Sequence, residues 1–415
     1  MKLKKLQSLL KKHNQWRREC INLIASENVM SPLAEKFYLS DLMHRYAEGL
    51  PFKRYYQGNI FFDQIESLAQ KDFKRFFKVN FCDLRPISGT IANYAVFCSL
   101  GKRRDKIITC GLFGGSHVSH EKDGAAGILG FQVHHFRFDE KTYTLDVEDA
   151  KKKIKKIKPR FIVLGASVIL FPHPIKELKK TCEKYGVKII FDAAHVFGLI
   201  AGGEFQDPIA EGADIITSST HKTFPGPQGG IILGNVKKEF QKEIQRKVFP
   251  GFLSNHHLHR IPPLLITLWE MEKYGKSYAK QIVKNAKVLA ESLFEEGFEV
   301  LAKENGFTKS HQVLLDVSMY GGGKKVAETL ERANIILNKN IIIKDKNLDP
   351  KNPSGLRLGV QEMTRFGMKE KEMKIIAKFI KRVILDKEKP EKVKKDVIEF
   401  RRNFQKVKYT FSQKL

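Results

Sequence analysis

A lysine in a turn between two apolar runs is the residue of this sequence best suited to covalent chemistry. Lys222 lies in the segment Thr217-Ser-Ser-Thr-His-Lys-Thr-Phe-Pro-Gly-Pro-Gln-Gly-Gly230, which follows one predicted strand and precedes another. Ligands of α/β sheets bind at the carboxyl ends of strands, and a lysine there can form a Schiff base with pyridoxal phosphate. An exposed loop lysine is the alternative, and it would be preferred if this segment stood alone.

A carboxylate and an imidazole after another predicted strand strengthen the first interpretation. The run that begins at Lys188 ends in Asp192-Ala-Ala-His195. A carboxylate there can pair with a pyridinium nitrogen, and an imidazole three residues later can lie against the same ring. Taken alone, Asp192 is a cap or turn residue; together with the lysine turn, it predicts a cofactor site.

A small polar turn before an apolar helix offers a place for a phosphate group. The segment is Ser88-Gly-Thr-Ile-Ala-Asn-Tyr-Ala95. Backbone N–H groups at a helix N-terminus, with hydroxyl groups beside them, bind anions. An ordinary serine N-cap has the same pattern, so both interpretations stay open.

These segments need a sheet to bring them together, and the apolar runs between residues 60 and 235 predict one. Near-continuous β-branched runs are typical of central strands covered on both faces, which indicates an α/β sheet with parallel pairing. Charged helices with one apolar face serve as crossovers. The predicted strands are 106–110, 160–165, 188–192, 214–217 and 230–233, and the predicted crossover helices are 147–157 and 175–185.

The pattern changes towards the C-terminus and indicates a second, smaller domain. A helical stretch from Leu258 to about Phe294 precedes strand-like runs, a short helix and basic helices from Lys369. Residues 1–19 predict a basic amphipathic helix, interpreted as a packing arm in preference to a nucleic-acid arm. The predicted divisions are an N-terminal helical arm (1–30), a large α/β domain (31–270) and a small α+β domain (271–415).

Composition narrows the class of protein. The chain has 415 residues, of which 42% are hydrophobic, and a formal net charge of +28 from 74 Lys and Arg against 46 Asp and Glu. No apolar run is long enough for a membrane span, and five scattered cysteines indicate neither a disulfide framework nor a metal site. We therefore expect a cytoplasmic protein with no membrane or metal. The positive net charge makes nucleic acid a candidate partner. The basic helices, however, have acidic residues between the basic ones and carry no nucleic-acid-binding signature.

Several stretches, taken together, resemble the serine hydroxymethyltransferase family. They occur in the family's order from residue 23 to about 370. The resemblance implies the pyridoxal-phosphate-dependent transferase fold of the aspartate aminotransferase type, with a mixed, mostly parallel seven-stranded sheet and a smaller α+β domain. The stretches are Leu23-Ile-Ala-Ser-Glu-Asn28, Tyr46-Ala-Glu-Gly-Leu-Pro-Phe-Lys-Arg-Tyr-Tyr56, Ser88-Gly-Thr-Ile-Ala-Asn93, Gly114-Gly-Ser-His-Val-Ser-His120, Asp192-Ala-Ala-His195, Thr220-His-Lys-Thr223, Phe249-Pro-Gly251 and Ser354-Gly-Leu-Arg-Leu-Gly359.

The resemblance implies a role for each residue of the cofactor site. Lys222 would hold pyridoxal phosphate as an internal aldimine that leads to a quinonoid carbanion, with His221 beside it. Asp192 would face the pyridine nitrogen. The remaining residues would be His117 stacked on the ring, His195 and Ser167 near the phenolic oxygen, Ser88, Gly89 and Thr90 on the phosphate, and Ser219 among the cofactor contacts.

Other residues would serve the substrate. Arg357 would bind the amino-acid carboxylate as a planar fork, assisted by Ser26. Glu48 would be the acid-base group at the substrate hydroxyl, and Tyr55 and Tyr56 would line the site. In this family Glu48 and the tyrosines reach into the neighbouring subunit's site, which implies a homodimer at least.

The implied reaction is the reversible conversion of serine to glycine. The one-carbon unit would pass to tetrahydrofolate or a tetrahydromethanopterin-type pterin, so the partners would be the small molecules serine, glycine and pterin. The nearest alternative keeps the cofactor and loses the carrier, as a threonine-type aldolase or transaldolase on β-hydroxy amino acids. Nucleic-acid binding without enzymatic activity is the least favoured alternative.

Some positions depart from the family pattern. Gln228 stands where the family has arginine, which removes one cation, and residues 254–256 (Ser-Asn-His) replace Gly-Gly-Pro near the partner subunit's cofactor phosphate. Phe52 and Gln57 replace family glycines. Replacement charge from nearby basic residues is one hypothesis, and an exposed polar loop is the preferred one; those residues are Lys247, His256, His257 and His259.

Overall fold

The computed structural model of the chain describes residues 2–347 and 351–412, in which helices and strands alternate. The α-helices are α1 (Lys2–Glu19), α2 (Pro32–Tyr38), α3 (Ile60–Phe77), α4 (Gly89–Leu100), α5 (Ala125–Ile128), α6 (Val147–Ile157), α7 (Ile175–Lys184), α8 (Phe197–Ala201), α9 (Pro208–Glu211), α10 (Lys238–Arg246), α11 (Ile261–Glu295), α12 (Gly322–Arg332), α13 (Gln361–Arg365), α14 (Glu370–Ile384) and α15 (Pro390–Arg402).

The strands are short, from two to five residues each. They are β1 (Ile21–Asn22), β2 (Gly49–Leu50), β3 (Lys53–Arg54), β4 (Phe81–Asp83), β5 (Lys106–Thr109), β6 (Gln132–His135), β7 (Phe161–Leu164), β8 (Lys188–Asp192), β9 (Ile215–Ser219), β10 (Gly230–Gly234), β11 (Glu299–Val300), β12 (Gln312–Asp316), β13 (Ile335–Ile336), β14 (Asn338–Asn340) and β15 (Gly355–Gly359).

A seven-stranded sheet forms the centre of the large unit, which comprises Asn28–Lys280 and the C-terminal tail from Tyr409. The strand order is β4-β10-β9-β8-β7-β5-β6. β10 runs antiparallel to β4 and β9, and the other neighbouring pairs are parallel. The predicted mixed, mostly parallel sheet is therefore confirmed.

The central strands form where the sequence places uninterrupted apolar residues. Every residue of β7, β9 and β10 is buried, and helices such as α6 and α7 follow the strands as predicted. Burying one isoleucine or phenylalanine side chain contributes roughly 2 kcal/mol, so each strand stabilises the sheet mainly through its side chains. The parallel pairing brings the carboxyl ends of β7, β8 and β9 to one edge.

Two strands of this sheet were not predicted. β4 has only three residues, which is too short to give a pattern. β6 is one of the two edge strands and has no buried residue; its sequence is Gln132-Val-His-His135. Continuous apolar runs mark strands that are buried on both faces, and β6 is not such a strand.

The small unit comprises residues 1–27 and 281–408. Its four-stranded sheet has the order β11-β12-β15-β14, and β1 pairs in parallel with β13. Helices α12, α14 and α15 belong to the same unit. Residues 1–27 thus group with the C-terminal part of the chain, while the domain divisions drawn from the sequence stay a prediction.

Two kinds of feature are absent from the described residues. In residues 2–347 and 351–412, none of the helices has both the length and the apolar character that crossing a bilayer requires. Across the same part of the chain, no group of three His, Cys, Asp or Glu side chains is arranged to hold a metal ion.

Candidate active site

One pocket of about 190 Å³ lies in the large unit where strand ends and a helix N-terminus meet. It brings together ten residues that the sequence predicted as a site, although they span more than 130 positions of the chain. The lining residues are Ser88, Gly89, Thr90, Asn93, His117, Ala166, Ser167, Asp192, Ala194, His195, Ser219, His221 and Lys222.

Lys222 lies in the turn between β9 and β10, and its backbone is held by hydrogen bonds. The side chain of Asn28 donates to the Lys222 carbonyl oxygen at 2.6 Å and contacts the hydroxyl of the fully buried Tyr278 at 2.9 Å. Within the turn, the Thr220 hydroxyl donates to the Pro227 carbonyl at 2.6 Å. The lysine therefore projects from a fixed backbone into the pocket. Asn28 was not among the predicted site residues.

His221 beside the lysine is held in its neutral form. Burial and the positive charges of Lys222 and Arg260 lower the pKa of this imidazole to about 4. Its Nδ1 atom is buried and has no hydrogen-bond partner among the described residues. At neutral pH the ring is therefore a potential proton acceptor.

Asp192 provides a buried anion at the end of β8. Burial would raise the pKa of its carboxyl, but the hydrogen bond and charge of His120 and the amide of Asn93 outweigh it and hold the pKa well below its usual range. His120 Nε2 and Asn93 Nδ2 each lie 2.8 Å from Asp192 Oδ2, and the Ala194 N–H donates to Oδ1 at 3.0 Å. The carboxylate is ionised at neutral pH and fixed in orientation.

The two main partners of Asp192 were not predicted from the sequence. Asn93 also accepts a hydrogen bond from the Thr217 hydroxyl at 2.6 Å, and His120 Nδ1 lies 3.1 Å from the Ser116 hydroxyl. Both residues are buried. The sequence does contain a signal for Asn93, because an asparagine inside the apolar helix α4 needs a buried hydrogen-bond partner.

The N-terminus of α4 faces this pocket. The Ser88 hydroxyl accepts a hydrogen bond from the Ile91 N–H at 3.1 Å and so caps the helix. The first N–H groups of a helix have no partner within it, and they carry a partial positive charge. Ser88, Gly89 and Thr90 line the pocket at this end, so a serine cap and a place for an anion coincide.

Three further residues that line the pocket come from loops, and they are His117, Ser167 and His195. Ser119 lies next to the His117 ring, with its hydroxyl 2.8 Å from Nδ1. The Ser167 N–H donates to the Gly115 carbonyl at 2.7 Å, and the His195 carbonyl accepts from the Thr223 hydroxyl at 2.8 Å. Gly165 lets these loops approach, because a Cβ there would lie 2.0 Å from the Asp192 carbonyl oxygen and its φ is +84°.

The predicted residues Glu48, Tyr55 and Tyr56 do not line this pocket. They lie in the same unit on residues 45–59, called the Glu48 segment below. Tyr55 is 74% exposed and Tyr56 is 48% exposed, while Glu48 is half-buried. The Tyr55 N–H donates to the Glu48 carbonyl at 3.1 Å, which closes a hairpin of β2 and β3.

Arg357 and Ser26 belong to the small unit. Arg357 lies on β15 with its side chain mostly buried, and its Nε donates to Asn338 Oδ1 at 3.3 Å. Burial lowers the pKa of the guanidinium to about 10, so it stays protonated at neutral pH. Ser26 is half-buried in the turn that follows β1.

The structure also locates the departures from the family pattern. Gln228 is exposed, but the buried Arg260 places a cation beside the same turn, where it donates to the Gly230 carbonyl at 2.8 Å. The preferred hypothesis of an exposed polar loop does not hold for His256, which is only 3% exposed. Its Nε2 lies 3.4 Å from the carboxylate of Glu66, since the loop folds over α3.

Comparison with known proteins gives the same family along nearly the whole chain. The family model described as serine hydroxymethyltransferase matches residues 2–380. A serine hydroxymethyltransferase of Saccharolobus islandicus is 54% identical over 410 residues, covering 99% of this chain and 94% of that protein. The serine hydroxymethyltransferase of Pyrococcus abyssi is 53% identical over 411 residues, covering 98% and 96%.

A solved structure shares the fold. The crystal structure of L-threonine transaldolase from Pseudomonas fluorescens in internal aldimine state is similar, with a TM-score of 0.91 and 29% identity. The match covers 100% of this chain and 94% of that chain. Because the family model and both relatives extend over almost all of the sequence, the chain belongs to the serine hydroxymethyltransferase family.

Proposed function

We propose that the chain is a pyridoxal-phosphate-dependent enzyme that interconverts serine and glycine and passes the one-carbon unit to a pterin. The observation that carries this proposal is that a lysine, a buried carboxylate anion and a helix N-terminus line the same pocket. Membership of the serine hydroxymethyltransferase family supports the same reaction.

The groups around the pocket fit pyridoxal phosphate. The Lys222 amine matches its aldehyde, Asp192 matches a protonated ring nitrogen, and the N-terminus of α4 matches its phosphate. The uncompensated Nδ1 of His221 leaves a polar atom available to a bound group. When bound, the cofactor supplies an electron sink for the charge left when the Cα–Cβ bond of the substrate breaks.

Asp192 has the task of holding a proton on the ring nitrogen. An anion stabilises a protonated partner only if it stays ionised itself, and the pKa of Asp192 well below its usual range ensures this. His120 and Asn93 fix the direction in which the carboxylate points. The low pKa and the fixed orientation serve one purpose, which is a permanent negative charge in the pocket.

Proton transfer and substrate binding fall to other side chains. Glu48 accepts or returns the proton of the substrate hydroxyl, while the neutral His221 assists beside Lys222. Arg357 binds the amino-acid carboxylate through two parallel N–H donors, with Ser26 as a further contact. Tyr55 and Tyr56 complete the wall of the site.

A homodimer with shared sites is part of the proposal. Large apolar side chains cluster in exposed positions on and around the Glu48 segment, and such patches mark protein interfaces. Their exposed fractions are Leu39 74%, Phe52 69%, Tyr55 74%, Ile60 71% and Phe61 78%. A second copy that covers this surface would receive Glu48, Tyr55 and Tyr56 at its own pocket.

The carbon acceptor distinguishes two candidate functions. The first uses tetrahydrofolate or a tetrahydromethanopterin-type pterin. The second is a pterin-independent aldolase or transaldolase, which the likeness to an L-threonine transaldolase favours at 29% identity. The relatives above 50% identity named serine hydroxymethyltransferase favour the first. We also propose a cytoplasmic location, for which the five unpaired cysteines are suitable.

The decisive experiment is serine cleavage by the purified chain loaded with pyridoxal phosphate. We expect a visible absorption band that shifts when serine or glycine is added. Glycine formation from serine should rise strongly with one of the two pterins. Activity that is the same with and without either pterin, but is high with threonine, would reject the first function in favour of the second. No uptake of the cofactor would reject both.

A further inference from the structure

We propose that Asn255 is a positioning residue that holds Glu48 for proton transfer. This inference rests on the proposed function, because Glu48 has its acid-base role only there. Asn255 lies in the loop that follows Phe249-Pro-Gly251, and its side chain makes hydrogen bonds to the backbone next to Glu48.

Asn255 clamps the backbone just before Glu48 at two points. Its Oδ1 atom accepts a hydrogen bond from the Ala47 N–H at 2.9 Å. Its Nδ2 atom donates to the Arg45 carbonyl at 3.1 Å. One amide side chain thus satisfies a donor and an acceptor two residues apart, which fixes both the position and the direction of that backbone.

A buried arginine also makes hydrogen bonds to the same backbone. Arg54 Nη1 donates to the Ala47 carbonyl at 2.8 Å and to the Gly49 carbonyl at 3.0 Å, on either side of Glu48. Its other nitrogens pair with Glu66 at 2.5 Å and Asp63 at 2.7 Å, and its side chain is 3% exposed. Two buried ion pairs therefore hold Arg54 in place, and Asn255 adds two further hydrogen bonds to the same backbone.

The loop that carries Asn255 is itself anchored to this network. His256 follows it directly and lies against Glu66, with its ring 5.7 Å from that of Phe62. A clamp on a mobile loop would fix nothing, whereas this one is tied to α3 through a buried side chain. The backbone on both sides of Glu48 is thus held, although Glu48 is only half-buried.

The kinetic test is a double-mutant cycle on the loaded enzyme. Asn255→Gly should lower kcat for serine cleavage roughly tenfold with little change in KM, because a small misplacement of a catalytic group slows chemistry more than binding. In a Glu48→Gln background, the same change should cost less than about twofold, since the group it positions is already lost. A full tenfold loss in that background would overturn the proposal.

Amide hydrogen exchange on the cofactor-free chain tests the clamp independently of activity. Asn255→Gly should speed exchange at the Ala47 amide, which donates to Asn255. Ser254→Gly is the matched control: it makes the same kind of substitution one residue earlier, at an exposed side chain with no hydrogen-bond partner among the described residues. Equal acceleration in both variants, or none in Asn255→Gly, would overturn the clamp.

The two arms separate the failure of this inference from the failure of the proposed function. If the wild-type chain takes up no cofactor and cleaves no serine, the proposed function fails and Glu48 positioning fails with it, whatever the exchange data show. If serine cleavage is present and the cycle is additive, only the inference fails. Asn255→Asp keeps the acceptor for Ala47 and loses the donor to Arg45, and we expect it to retain more of the exchange protection than Asn255→Gly.

Discussion

The cofactor pocket and the Glu48 segment both belong to the large unit, but they differ in how their side chains are paired and exposed. Around the pocket, Asp192 finds its partners within the same chain and is 5% exposed. In the Glu48 segment, the backbone is fixed from inside by Arg54 and Asn255, yet Tyr55 and Tyr56 are turned outward. The first region pairs its polar side chains within one chain, whereas the second leaves its aromatic side chains exposed.

The contrast bears on the proposal that the Glu48 segment serves the site of a second copy. A backbone that is anchored beneath exposed aromatic side chains is typical of a surface that a partner covers. Side-chain to backbone hydrogen bonds do the anchoring here, because the two-residue strands β2 and β3 are too short to do so. Four predictions test this contrast.

The largest expected effect is the loss of the lysine from the pocket. Lys222→Ala should lower serine cleavage by at least about a thousandfold and remove the absorption of the covalently bound cofactor, since no other lysine among the described residues lines this pocket. Absorption spectra after gel filtration and serine turnover measure both. Lys237→Ala, an exposed lysine of the same unit, is the control. A variant that keeps the bound cofactor band would contradict the assignment.

Mixing two inactive variants tests whether the two regions belong to one site across two chains. Lys222→Ala and Glu48→Gln should each retain less than about a hundredth of the activity. Co-refolded in equal amounts, they should recover about a quarter of wild-type activity, because half of the dimers would contain one intact site out of two.

The control for this experiment is the mixture of Lys222→Ala with Asp192→Asn. Both of these residues lie in the same pocket of the same chain. A mixed dimer of those two variants has a lesion in every site and should stay inactive. No recovery in the test mixture would show that Glu48 serves the pocket of its own chain, and recovery in the control would show that the regained activity does not report sites shared between two chains.

Much of the first region could be predicted from the sequence, and much of the second could not. The strands β7, β8, β9 and β10 were predicted because buried parallel strands leave near-continuous β-branched runs, and the fold prediction is confirmed. The candidate pocket residues lie in local turns at the ends of those strands, where short motifs carry the information. Their chemical roles stay predictions.

No local sequence pattern indicates which side chains pair across long stretches of the chain. Asn93 and His120 reach Asp192 from 99 and 72 residues away, and Asn255 reaches Ala47 from 208 residues away. No periodicity or spacing connects positions so far apart. The sequence marked residues 254–256 only as a departure, and it took the fold to bring them against the Glu48 segment.

Acid stability tests the anchoring of the Glu48 segment. Burial would raise the pKa of Glu66, but His256 and Arg54 outweigh it and lower the pKa to about 2. The folded pKa lies below the ordinary value of 4.5, so the ionised form stabilises the fold above that value, and the contribution is lost as the pH falls from 4.5 towards 2. Glu66→Gln should cost roughly 3 kcal/mol at pH 7.

Denaturant unfolding between pH 7 and acid measures this contribution. The free energy of unfolding of the wild-type chain should fall more steeply below the ordinary carboxyl pKa than that of Glu66→Gln, and the difference between them should shrink there. Glu239→Gln, at an exposed position of the same unit, provides the control and should match the wild type. Parallel curves for wild type and Glu66→Gln would show that Glu66 does not stabilise the segment through its charge.

The smallest expected effect concerns Phe52, an exposed aromatic residue of the Glu48 segment. Phe52 has a left-handed φ of 60° and a ring that is 69% exposed. A side chain in that conformation costs about 1 kcal/mol, and glycine adopts it without steric cost, although glycine also favours the unfolded chain. Phe52→Gly should therefore change the free energy of unfolding of the separated subunit by less than about 1 kcal/mol.

The same substitution should weaken assembly, because it removes a large exposed ring from the surface that we propose a second copy covers. We expect the dimer dissociation constant to rise roughly tenfold, measured by sedimentation or by dilution. Gln57 is another exposed residue of the segment and lacks a left-handed φ, so Gln57→Gly should leave assembly unchanged. If Phe52→Gly left the dimer as tight as before, the exposed side chains of this segment would lose their explanation as a surface built for a second copy.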